Sequence, residues 1–232
     1  MNCRQGNEEG QSAALSIPLA TLESLVGGFL ASRLLCAFLG TAGVMAGQGT
    51  QPWNQPRFSD DVAAVYQAAS SVTSTKGSEV VVLFEENTFT FDVDGRCVHT
   101  KYSIYKVLSE KGAGGWDNVD VEWEPWHEEK PVLRARVIGA DQVSHPLDAK
   151  TITDSPASDD NDNEYGDRRV VRAPFPAIAQ GAVVEEEITV RETAPLFAAG
   201  VVRRVYFGSS SPVSETRLTL DAPSSLNLKY NA

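Results

Sequence analysis

The stretch Glu79–Ser109, "EVVVLFEENTFTFDVDGRCVHTKYSIYKVLS", holds two long β-rich runs on either side of Asp94-Gly95. Asp-Gly tolerates the positive φ values of a two-residue hairpin turn, so the stretch is expected to fold back on itself. On the first run Phe89, Phe91 and Val93 alternate with Thr88, Thr90 and Asp92; on the second Val98, Tyr102 and Ile104 alternate with His99, Lys101 and Ser103. Side chains alternate across a strand, so this pattern implies one buried and one wet face. Further strands are expected at 132–138, 143–146, 168–173, 183–192, 201–208, 213–220 and 226–230, with turn residues between them. Many short strands separated by turns imply an all-β fold, an antiparallel β-sandwich over residues 78–232.

Upstream the character changes. "LLCAFLGTAGVM", Leu34–Met45, follows Arg33 and precedes the small residues of "VMAGQG", as a secretory h-region and cleavage site would. Residues 1–46 therefore read as a signal peptide or, alternatively, an N-terminal anchor. The stretch from Leu25 to Met45 is long enough to cross a bilayer, but Arg33 in its middle would cost about 2.5–3.5 kcal/mol there. Residues 47–77 read as a linker, "GQGTQPWNQPRF", and a short helix with Ser59 as N-cap and Val62, Val65, Tyr66 and Ala69 on one face.

The formal charge of −11 argues against nucleic acid and anionic lipid as partners, leaving the N-terminal segment as the one membrane contact expected. Three cysteines are present, Cys3, Cys36 and Cys97. The last alone lies beyond the signal-like segment, so no internal disulfide is expected after cleavage. Cys97 and His99 share a strand face with β-carbons about 7 Å apart, too far for a hydrogen-bonded nucleophile and base. No catalytic residue is expected. His127 and His145 follow no zinc-ligand spacing.

Two segments invite a ligand. "SPASDDNDNEYGD", 155–167, offers Asp159, Asp160, Asp162 and Glu164 as oxygen ligands for weak calcium binding, but Tyr165 stands where an EF-hand needs glycine. A solvated acidic loop without a cofactor is the simpler reading. "GGWDNVDVEWEPWHEEKP", 114–131, places Trp116, Trp123 and Trp126 among acids, as a sugar-stacking platform would, although large aromatics also fill cores.

Residues 78–232 resemble a bacterial domain of unknown function found directly N-terminal to transglutaminase-like domains. Four stretches carry the resemblance in order: the opening hairpin from Val80, "VLRARVIGADQVSHPL", "YGDRRVVRAPFPAIAQGAVVEEEITV" and "VYFGSSSPVSETRLTLDAP". The family's most recognisable pattern falls here on Tyr165, Asp167, Pro176, Gly181, Val184 and Glu185. Glu186 stands where the family commonly has an aromatic, and "GADQ", Gly139–Gln142, replaces its usual Pro-Asp-Gly turn. Alternation puts Glu186 with Val184, Ile188 and Val190 toward the core, where it needs a partner such as Arg172, Arg203 or Arg204, or a sheet edge. Glu185 falls on the opposite, solvated face.

The resemblance implies a periplasmic or secreted module without catalysis; Tyr165, Asp167 and Glu185 of its pattern join Trp123 and Trp126 of the aromatic cluster as candidate binding residues. Its implied partners are a downstream transglutaminase-like domain and an envelope protein or glycan. The alternatives are an N-terminal piece of an envelope transglutaminase-like enzyme and a weak calcium-dependent adhesion module.

Overall fold

The computed structural model describes residues 51–59, 61–72, 77–157, 166–197, 202–207, 211–226 and 228–229. The signal-like segment, Tyr165 and the four acids Asp159, Asp160, Asp162 and Glu164 lie outside them. No helix among the described residues is long and apolar enough to cross a membrane.

The fold is an all-β sandwich. β1 (Val80–Phe91) and β2 (Cys97–Val107) form the expected hairpin, with Phe91 opposite Cys97. Its turn is longer than a two-residue one. Asp92 N–H donates to the Arg96 carbonyl and Gly95, at φ 83°, takes the left-handed position, so Val93 is exposed at the tip. Also present are β3 (Asn118–Trp123), β4 (Val132–Ile138), β5 (Ser144–Pro146), β6 (Thr153–Pro156), β7 (Arg169–Pro174), β8 (Val183–Arg191) and β9 (Thr216–Asp221). They make a six-stranded sheet in the order β5-β4-β8-β2-β1-β9 and a three-stranded sheet in the order β3-β7-β6.

Four expectations are corrected. β9 runs parallel to β1, from Glu85 opposite Thr216 to Thr90 opposite Asp221, so the large sheet is mixed. β3 and β6 form where no strand was expected. In β3 the inward residues Val119 and Val121 alternate with Asp120 and Glu122, which pair outward with Arg172 and Arg168. Residues 202–207 and 228–229 carry no strand. α1 (Val62–Ser71) is capped by Asp61, whose carboxylate accepts from Ala64 N–H at 3.0 Å, instead of by Ser59.

The large sheet buries both faces. On one, Val80, Val82, Tyr105, Val107, Val137 and Val184 meet Val119, Ala173 and Phe175 of the small sheet and its flank. On the other, Val81, Leu83, Phe84, Tyr102, Ile104 and Val183 are covered by Trp53, Val65 and Ala69. A shift of register between Val82 and Phe84 places Leu83 and Phe84 together on that second face. The stretch read as a linker is thus a strap. Trp53 stacks on Phe84 at 5.9 Å, its indole nitrogen donates to Glu215 at 2.9 Å, and Arg217 donates to Asn54 at 2.7 Å.

Candidate functional site

The charged groups of the large sheet converge in two places, one on each face. Under the strap, β4 and β8 set Arg136 opposite Glu185 and Arg134 opposite Glu187. Glu185 is 1% exposed. Its carboxylate accepts from Phe58 N–H (2.6 Å), Tyr102 O–H (2.5 Å) and Arg136 Nε (2.7 Å). Arg136 Nη2 adds an ionic contact at 2.6 Å whose angle lies outside the hydrogen-bond range. Arg57 bridges Glu86 (2.8 Å) and Glu187 (2.6 Å), and Arg134 lies 3.9 Å over the Phe58 ring. Burial first, then the Glu185 charge, pushes the Tyr102 phenol above its ordinary value.

Glu185 is therefore neither solvated nor open to a surface partner, contrary to expectation: the face taken as wet is the one the strap covers. Phe58, Tyr102 and Arg136 were not foreseen as its partners. The "RAR" of β4 facing the "EEE" of β8 was the available signal, readable only once the strand register is known.

On the other face Glu186 accepts from Ser103 Oγ at 2.7 Å, and none of the anticipated arginines serves it. Arg172 pairs with Asp120 and Arg203 with Glu192. Desolvation raises the Glu186 carboxyl above its ordinary value, with the Ser103 hydrogen bond opposing.

Beyond Glu186 along this face a cleft of about 400 Å³ opens between the sheets. Cys97 and His99 line it from β2, Ile188 and Val190 from β8, Val121 from β3. Cys97 is 1% exposed, and burial pushes its thiol up to about 11. The Glu192 carboxylate accepts its backbone N–H at 2.8 Å and is itself held by Arg203. His99 stacks flat on Phe89 at 4.3 Å and contacts Asn87 Oδ1 through Nε2 at 3.0 Å. Burial, aided by Arg203 and Lys101, lowers the imidazole to about 4. A protonated thiol beside a neutral imidazole that is occupied elsewhere is not an activated nucleophile.

The tryptophans separate. Trp116 packs on Tyr105 at 5.0 Å in the core, so it is no part of a platform. Trp123 ends β3 with its indole nitrogen buried and without a hydrogen-bond partner. Trp126 is 54% exposed, donates to Glu124 at 2.8 Å and meets the His127 ring edge-on at 4.1 Å. His127 is buried, and its Nδ1 has no partner. Asp167 is exposed just ahead of β7, away from these rings in sequence. Among the described residues no three His, Cys, Asp or Glu side chains gather as a metal site.

The family model described as a domain of unknown function with solved structure, DUF3857, matches residues 93–232, more than half of the chain. A comparison with curated proteins finds no match. Among solved structures, a candidate protease of Parabacteroides distasonis ATCC 8503 is similar at TM-score 0.58 and 9% identity, over 63% of this chain and 29% of its own. The chain thus spans less than a third of that protein's length, and the likeness is one of fold. A family 3a carbohydrate-binding module from the cipA scaffolding of Clostridium thermocellum aligns at TM-score 0.25 and 11% identity, over 49% of this chain and 76% of its own, too low a score to argue from.

Proposed function

Because the chain belongs to the DUF3857 family, we propose that it is a non-catalytic module of a secreted or envelope protein. In this reading it binds or positions a protein or glycan for a transglutaminase- or protease-like domain carried elsewhere. The observation that carries it is Cys97: the cysteine best placed for covalent chemistry is buried to 1% exposure at the base of the cleft, with its thiol raised to about 11. Two further features support it. The similar candidate protease is several times longer than the stretch it shares with this chain, as expected of an accessory unit. The apolar run Leu34–Met45 supports export.

The test uses the full chain with Cys3 and Cys36 replaced by serine. Alkylation of Cys97 under native conditions is expected to run far slower than in urea, with no hydrolysis or transamidation of peptide amides. Rapid native alkylation together with amide chemistry abolished by Cys97→Ser would overturn the proposal. A second arm fuses the chain to a family transglutaminase-like domain stripped of its own β module. The fusion is expected to lower KM for a protein substrate while leaving kcat unchanged, the signature of added binding without altered chemistry.

A further inference from the structure

The space between the sheets is filled unevenly. Tyr105, Trp116 and Phe175 occupy one end, whereas the end beside His99 and Val190 is left as the cleft of about 400 Å³, within the range of small-molecule sites. Its wall is apolar along Val121, Ile188 and Val190. Four of its charged groups are matched inside the chain, Glu192 to Arg203, Lys101 to Glu85, Glu122 to Arg168 and Asp120 to Arg172, while Glu128 accepts the Glu124 N–H at 2.7 Å and has no cationic partner among the described residues. An anion would meet the uncompensated Glu128 carboxylate or have to break one of these pairs; an uncharged ligand would do neither.

The wall strand β3 runs on from Glu122 through Trp123, Glu124 and Trp126 and returns to the cleft at Glu128, which bridges to Glu192. This one turn contains an exposed indole and two buried ring nitrogens without partners, Trp123 Nε1 and His127 Nδ1. Buried polar atoms left unpaired are rare, so two within five residues show that the chain does not itself satisfy the polar groups of this turn. Glu124 and Glu128 add carboxylates that can accept from hydroxyls, and Trp126 is already oriented by Glu124.

We infer that the 123–128 turn and the adjoining cleft form a binding site for a neutral saccharide. A sugar ring lies on the Trp126 indole and its hydroxyls donate to Glu124 and Glu128. Anionic glycans are disfavoured by the chain's −11 charge. The inference rests on the reading of the chain as a binding module, yet it can fail while that reading stands, since the Cys97 alkylation test is independent of it.

The experiment titrates the full chain with neutral tetrasaccharides of glucose and of N-acetylglucosamine, and with tetralysine, following tryptophan fluorescence and calorimetric heat. A saturable fluorescence change with at least one saccharide is expected, and none with tetralysine. Trp126→Ala should weaken binding about tenfold or more while leaving the urea midpoint unchanged, and Trp126→Phe, which keeps a stacking face, should retain most of it. Silence with both saccharides up to about 10 mM, binding indifferent to Trp126→Ala, or tetralysine binding in their place would overturn the inference.

Discussion

Replacing Glu185 by glutamine changes one atom of the buried network and inverts its electrostatics. The carboxylate answers three hydrogen-bond donors and the charge of Arg136, whose side chain is 8% exposed. Glutamine keeps one acceptor oxygen, enough for Tyr102 or Phe58, but turns an amide N–H₂ toward donors and leaves the guanidinium without a counter-charge. Breaking a buried ion pair by removing one partner costs about 3–5 kcal/mol, against a total of about 5–15 kcal/mol for a domain. Glu185→Gln is therefore expected to lower the stability of the full chain by about 3–5 kcal/mol in urea unfolding followed by tryptophan fluorescence. A solvated glutamate would give less than about 0.5 kcal/mol. Arg136→Met alone should cost a similar amount, while Glu185→Leu with Arg136→Met should recover much of the loss, because both charges then leave together. A loss below about 1 kcal/mol for Glu185→Gln, with no coupling in the cycle, would refute the closed strap-face network.

Other outcomes follow from single features. Trp53→Ala empties the contact with Phe84 and removes the bond to Glu215, and should cost about 3–5 kcal/mol in the same assay. Gln142, at φ 63°, occupies a left-handed turn position that glycine adopts without strain, so Gln142→Gly should raise the thermal midpoint, by about 1 kcal/mol in stability. Two groups shape the pH dependence in opposite directions. Glu186 is raised in the fold above 4.5, so the stability it allows is greatest below 4.5 and falls as pH rises through its folded value; Glu186→Gln should flatten that limb and stabilise the protein at pH 7. His99 is lowered from 6.5 to about 4, so stability is lost as pH falls across that window, and His99→Gln should remove this acid limb from urea midpoints measured along it. Calorimetric titration with calcium is expected to show no binding tighter than about 1 mM, because the acidic run from Asp159 to Glu164 lacks the glycine an EF-hand loop requires.

What could be read from the chain beforehand was the local pattern, and what escaped was the identity of the facing layer. β4 and β8 stand out as apolar runs between turn residues, and the expected bounds agree with the observed ones to within a residue. β3 is masked in the sequence by Asp120, Glu122 and the tryptophans around it, although Val119, Val121 and Trp123 keep the two-residue period of a strand. The alternation of β8 divided Glu185 from Glu186 correctly, but no rule of alternation says that the second face of a sheet is covered. That depended on Trp53 and Phe58, two large rings within a stretch whose glycine, proline and glutamine suggested a linker. The candidate cleft was illegible for a related reason: it exists where side chains of separate sheets fail to fill the space, and its charged groups Glu192 and Arg203 meet only through the return of the chain.

The parallel pairing of β1 with β9 joins segments about 130 residues apart, and it bears on how the protein is made. During synthesis β1 emerges early, hairpins with β2 and then waits, one edge bare, until residue 221 has left the ribosome. For that interval its backbone offers an unpaired row of donors and acceptors, and Phe84 lacks the cover of Arg217, whose guanidinium lies 4.8 Å above the ring in the finished fold. The strap cannot anchor fully either, since Glu215 and Arg217 are its far moorings. Nascent chains halted before Thr216 should therefore be protease-sensitive and prone to associate through β1, and chains released beyond Asp221 should not.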